Sequence, residues 1–135
     1  MIKTIQIQTR KQGLHEITSE VQTVVRSAGV EEGICHIFIQ HTSASLTIQE
    51  NVDPSARRDL DAWLNRLVPE DDPAYTHTIE GPDDIPAHIK AVLTATSLSV
   101  PVLNGELALG TWQGIYLWEH RRSPHSRSVV IHVGP

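Results

Sequence analysis

Two-residue alternation of apolar side chains occupies both ends of this chain and 3.6-residue periodicity its middle, an order that excludes a repeating βαβ succession and predicts an α+β fold. Residues 2 to 9 are rich in Ile and Thr, and Leu14 to Ile17 continue in extended form. Ser19 and Gln22 then stand at capping-box spacing, and Val21, Val24, Val25 and Ala28 recur at i, i+3, i+4 and i+7 before Gly29 ends a first helix. From Gly33 to His41 the period returns to two, with Cys35, Ile37, Ile39 and His41 on one face and His36, Phe38 and Gln40 on the other. After the Thr42-Ser43 corner, Leu46, Ile48 and Glu50 alternate along another strand.

Asp53-Pro54 reads as the cap and first turn of a second helix with the stripe Leu60, Trp63, Leu64 and Leu67, closed by Pro69. Residues 70 to 84 are acidic and rich in Pro and Gly, hence loop, with a brief extended piece at Tyr75-Thr76-His77. Asp84 reads as the cap of a third helix with Pro86 in its first turn and Ile85, Ile89, Val92, Leu93 and Thr96 along one stripe. Residues 98 to 103, 107 to 117 and 128 to 133 are strands, turning at Asn104-Gly105 and around Pro124. The expectation is one domain over residues 1–135, a mostly antiparallel, sandwich-like sheet with about three helices.

A formal charge of −5 with no run of Lys or Arg argues against a nucleic-acid partner, because phosphate contacts need a basic stripe. No stretch approaches the roughly 18 apolar residues of a membrane span, and polar residues interrupt the N-terminus before any signal-peptide core could form. A cytoplasmic location and a small-molecule partner are the expectation. Cys35 is the single cysteine and has no partner within the chain.

Eight histidines are an excess that the composition does not otherwise explain. His41 ends an apolar strand face, His77 lies in a loop and His88 sits at the edge of a helix stripe, so three imidazoles from separate elements can converge on one divalent ion. Their spacing matches no compact metal motif, and a satisfied core or cap histidine is the bland reading of each taken alone. His15, His36, His120, His125 and His132 fit that bland reading better. Among carboxylates, Asp53 and Asp84 are explained as helix caps, whereas Glu50 has no such explanation and is a candidate base or outer-shell partner. Thr42, Ser43 and Ser45 form a turn able to hydrogen-bond an oxyanion. Gly110 and Gly114 flank Trp112 as though a ligand or neighbouring chain approached the backbone, and Lys90, Arg121 and Arg127 are available to a phosphate.

The block from His41 through Thr42-Ser43-Ala44-Ser45 to Asp53, then His77 with Glu80-Gly81 and Pro86 to Lys90, then Leu109 to Leu117 with Glu119 and Arg121, resembles in order the signature blocks of the YjbQ-like family. That resemblance implies an α+β sandwich-like subunit assembled as a homotrimer, and a metal associated with His41, His77 and His88. It also implies a secondary thiamine-phosphate synthase activity, joining a pyrimidine diphosphate to a thiazole phosphate with loss of pyrophosphate. The expectation is thus a metal-dependent transferase acting on a small phosphorylated substrate, with Glu50, Lys90 and Arg121 catalytic. Thr42, Ser43, Ser45, Gly110 and Trp112 would line its ligand site. Three imidazoles suit zinc, with magnesium the alternative beside a diphosphate. A non-catalytic homotrimer binding a metal or small ligand is the competing reading.

Overall fold

A computed structural model describes all 135 residues. The elements run β1 (Ile2–Thr9), β2 (Gly13–Glu16), α1 (Thr18–Ala28), β3 (Glu32–Ile39), β4 (Ala44–Glu50), α2 (Pro54–Leu67), α3 (Asp84–Leu93), β5 (Ser97–Leu103), β6 (Glu106–Leu107), β7 (Gln113–Glu119) and β8 (His125–Gly134). They form an α+β fold of two antiparallel sheets, a five-stranded one in the order β1-β8-β3-β5-β6 and a three-stranded one in the order β2-β7-β4. Alternation sets their faces. Cys35, Ile37 and Ile39 of β3 and Val129, Ile131 and Val133 of β8 point inward, where they meet Val21, Val24 and Val25 of α1 and Leu46, Ile115 and Leu117 of the smaller sheet.

A second, smaller cluster of Leu64, Val68 and Trp118 packs α2 against the other side of the small sheet. β7 is therefore covered on both faces, and Gly114 to Glu119 are all buried, which is why its sequence shows a continuous apolar run where an alternating one would mark a half-exposed strand. Trp118 ties the layers with an indole Nε1–H that donates to Asp61 Oδ1 of α2 at 2.9 Å.

Several local expectations are corrected. α1 begins at Thr18 and uses no side-chain cap: Ser19 Oγ donates to Glu20, while Thr18 Oγ1 donates to Glu16 and accepts the Ile115 amide. The long strand expected over 107 to 117 is interrupted, because Gly110 and Gln113 close a turn through the Gln113 amide and the Gln113 Oε1 acceptor. α2 opens as expected, with Asp53 Oδ1 accepting from the Ser55 amide at 2.9 Å, although Trp63 and Leu67 of its stripe are exposed. In α3 the buried side is Asp84, Pro86, Ala87, Lys90 and Ala91, and Val92 and Leu93 face outward.

Candidate functional site

α3 starts with two consecutive acids, Asp83 at the cap position and Asp84 as its first residue. Neither side chain caps the helix, which corrects the reading of Asp84 as a cap. Both are turned into the protein and held by one arginine: Arg121 Nε donates to Asp83 Oδ2 at 3.1 Å and its NH1 to Asp84 Oδ1 at 2.8 Å, while NH2 reaches the Glu80 carbonyl at 3.0 Å. The Arg122 amide adds a bond to Asp83 Oδ2 at 2.9 Å. Burial by itself would raise the Asp84 carboxyl, yet His77, His88 and Arg121 around it hold it below the ordinary carboxylate range.

The other oxygen of Asp84 faces two imidazoles. His77 Nε2 lies 2.8 Å and His88 Nε2 3.2 Å from Asp84 Oδ2, and the two rings meet edge to face with centroids 5.5 Å apart. His88 sits four residues after Asp84, one helical turn on, so both side chains fall on the same side of α3. His77 is brought there by the loop that precedes the helix. Donor atoms of His77, Asp84 and His88 lie within 4.8 Å of one another.

The remaining nitrogen of His88 determines how the cluster can be charged. His88 Nδ1 lies 3.0 Å from the Thr42 carbonyl, which can only accept, so Nδ1 carries a proton. Its Nε2 then faces a carboxylate oxygen, also an acceptor. The ring must be protonated on both nitrogens or must turn an Nε2 lone pair toward a cation between it and Asp84. A backbone carbonyl fixing the far nitrogen of a histidine is the usual arrangement behind a metal ligand.

His41 has the opposite surroundings. Its Nε2 accepts the Ser128 amide at 2.7 Å and its Nδ1 lies 3.3 Å from Arg127 NH1, so both nitrogens face donors. Burial pushes its imidazole below the usual range and the neighbouring Arg127 pushes it further the same way. The lone pair expected for a metal is spent on the backbone, and the structure places Asp84, not His41, third beside His77 and His88. His41 instead joins His88, Thr42, Ala91, Val92, Thr94 and Thr96 in lining a cavity of about 420 Å3 at the edge of the cluster.

The other candidate residues separate. Lys90 is buried and donates to Asn65 Oδ1 of α2. Arg121 is committed to Asp83 and Asp84. Glu50 and Trp112 line a different cavity with Ile48, Gln49 and Gln113, and Gly110 belongs to the turn beside it. Thr42 supplies its carbonyl to His88, whereas Ser43 and Ser45 serve buried groups: Ser43 Oγ accepts from Arg127 NH2 at 3.0 Å, and Ser45 Oγ lies 2.9 Å from His120 Nε2. Asp84 is the site residue that sequence reasoning missed, and its i, i+4 relation to His88 was the available signal.

The fold and this cluster define an α+β protein with a His-Asp-His centre at a helix start. Residues 3–135 match the sequence profile of the family described as UPF0047 protein YjbQ-like, and the chain belongs to that family. It is 53% identical to a UPF0047 protein of Synechocystis over 94% of this chain and 86% of the relative, and 43% identical to the UPF0047 protein YjbQ of Escherichia coli O157:H7 over 95% and 93%. A crystal structure of an uncharacterized YjbQ/UPF0047 family protein from Clostridium acetobutylicum superposes with a TM-score of 0.90 at 36% identity, covering 98% of this chain and 99% of the other.

These comparisons correct the functional expectation. The family and the relatives are named only as UPF0047 proteins, and a similar structure from Sulfolobus solfataricus, with a TM-score of 0.85 at 27% identity over 100% of this chain and 97% of that one, is described as a YbjQ-like protein of unknown function. None of these descriptions carries a thiamine-phosphate synthase, a transferase, a metal-dependent catalyst or a zinc protein, so that reading is withdrawn. No helix of the chain is long and apolar enough to cross a membrane.

Proposed function

We propose that His77, Asp84 and His88 form a binding centre for one divalent transition-metal ion, open to a small ligand from the adjoining cavity. The observation that carries this reading is the pairing at His88, whose two nitrogens both face acceptors, Thr42 O and Asp84 Oδ2. A cation at the Asp84 side resolves that conflict without a second ring proton, and it suits the donor set of two imidazoles and a carboxylate. His77 is half exposed and His88 partly so, which leaves room for water or a ligand to complete the shell. Arg121, by holding Asp84 Oδ1, aims Oδ2 at the imidazoles and acts as a positioning residue.

Titration calorimetry with cobalt(II) tests this. The wild type is expected to bind about one ion per chain, and His77→Ala and His88→Ala to lose about tenfold or more in affinity, the order of effect found for groups around metal centres. Unchanged affinity in both variants would refute the assignment.

Self-association as a homotrimer belongs to the same proposal. Its support is the outer face of the five-stranded sheet, where Ile34, Phe38 and Leu103 remain exposed on neighbouring strands. Sedimentation equilibrium returning a monomer would remove that part.

A further inference from the structure

Between β2 and α2 lies a cavity of about 350 Å3 whose lining includes Lys11, His15, Pro54, Arg57, Arg58 and Asp61. It shares no lining residue with the cavity beside His88. Three of its side chains are permanently cationic in a chain of net charge −5, and its one carboxylate, Asp61, already accepts from the Trp118 indole. The ion pairs of the molecule engage Arg26, Arg121, Arg122, Arg127 and the two histidines at Asp84, and none engages Lys11, Arg57 or Arg58. Unpaired cations gathered around a concave surface repel one another, and that repulsion is relieved by an anion.

Two of the groups are held in place before any ligand arrives. Arg57 NH1 donates to the Tyr116 hydroxyl at 3.1 Å and its guanidinium carbon stands 5.6 Å from the Tyr116 ring centroid, so its remaining N–H groups are presented from a fixed plane. His15 Nε2 donates to the Lys11 carbonyl at 2.8 Å, which fixes the orientation of the ring. Leu14 and Pro54 add an apolar wall to a volume in the range of small-molecule sites.

We infer that this cavity is a second binding site, taking a small, doubly charged oxyanion through Lys11, Arg57 and Arg58. Lys11, Arg57 and Arg58 outnumber Asp61 and the neighbouring Asp53, whose carboxyl the Arg58 and Arg57 charges help to lower, so the site keeps a cationic excess for an anion. Phosphate and dicarboxylate ligands share this chemistry and are told apart by titration.

The test is an amide NMR titration of the full chain, freed of metal by chelation, with inorganic phosphate, with succinate and with sodium chloride at matched ionic strength. Saturable shifts centred on Gln12 to His15 and on Arg57 to Asp61 with phosphate or succinate, and not with chloride, are expected. The better probe identifies the ligand class. In the folded double variant K11E/R58E, whose side chains are both exposed, the same probe is expected to bind at least tenfold more weakly. Equal shifts with chloride, shifts that do not saturate, or unchanged affinity in the double variant would overturn the inference. Because no residue of the His77, Asp84 and His88 centre is altered, loss here with cobalt(II) binding retained separates this site from that one.

Discussion

Replacing Glu119 by alanine is expected to destabilise the protein by about 3–5 kcal/mol, the usual cost of leaving one half of a buried ion pair without its partner. Glu119 is fully buried on β7 and is surrounded by donors: Thr9 Oγ1 at 2.6 Å, Arg127 Nε at 2.8 Å, a second contact from Arg127 NH2, and the Arg121 amide at 3.1 Å. Burial raises its carboxyl, and Arg127 and Thr9 more than reverse this, so it stays ionised. Without it, Arg127, only 3% exposed, retains Ser43 and His41 as partners but no counter-charge. Thermal unfolding should move down by roughly 10–18 °C in a domain of this size. The double variant Glu119→Leu, Arg127→Met, which removes both charges, should recover at least half of that loss. A Glu119→Ala protein as stable as the wild type would show that the pair does not hold β7 and β8 together.

The second large effect is on acid stability, through His120. Burial pushes its imidazole down to about 3, with the Lys90 ammonium acting in the same direction. Its Nε2 shares a hydrogen bond with Ser45, and its Nδ1 has no partner, so an added proton finds no acceptor. A folded-state value below the unfolded one means that the native state favours the neutral ring. The resulting stability is fully present above about pH 6.5, is lost progressively as the pH falls toward 3, and amounts in total to roughly 5 kcal/mol. His41, also shifted down, adds to the loss in the same direction. Denaturant unfolding at several pH values checks this: between pH 6.5 and 4 the wild type should lose stability by up to about 1.4 kcal/mol per pH unit more steeply than His120→Leu. Parallel curves for the two proteins would assign the acid lability to other groups.

How far the residues themselves foretell this architecture differs by level. Cys35, Ile37 and Ile39 alternate because one side of β3 is covered and the other is not, and that pattern is legible without any partner. The burial of β7 on both sides is less so, since it depends on α2 arriving from about fifty residues away in the chain, and the turn that shortens this strand is closed by the backbone amide and side chain of Gln113. In the site, His77 and His88 were legible as histidines without a surface role. Asp84 was not, because a helix start already explains an aspartate, and only Arg121, 37 residues further on, draws its side chain inward. His41 was the expected third histidine for a related reason. Its place at the end of an apolar strand face is real, but which atoms face its nitrogens is decided by β8, 86 and 87 residues later. Spacing along a chain reports element and face; the tautomer of a histidine is set by contacts that spacing does not contain.

The most direct test of the metal centre is an anomalous difference map from crystals grown with cobalt(II), recorded at the metal's absorption edge. The predicted result is one peak per chain at about 2.0–2.2 Å from His77 Nε2, His88 Nε2 and Asp84 Oδ2, with the His88 Nδ1 to Thr42 carbonyl bond intact. A map with no peak there, and His88 still hydrogen-bonded to Asp84, would contradict the account and leave the cluster a doubly protonated His88 paired with a carboxylate.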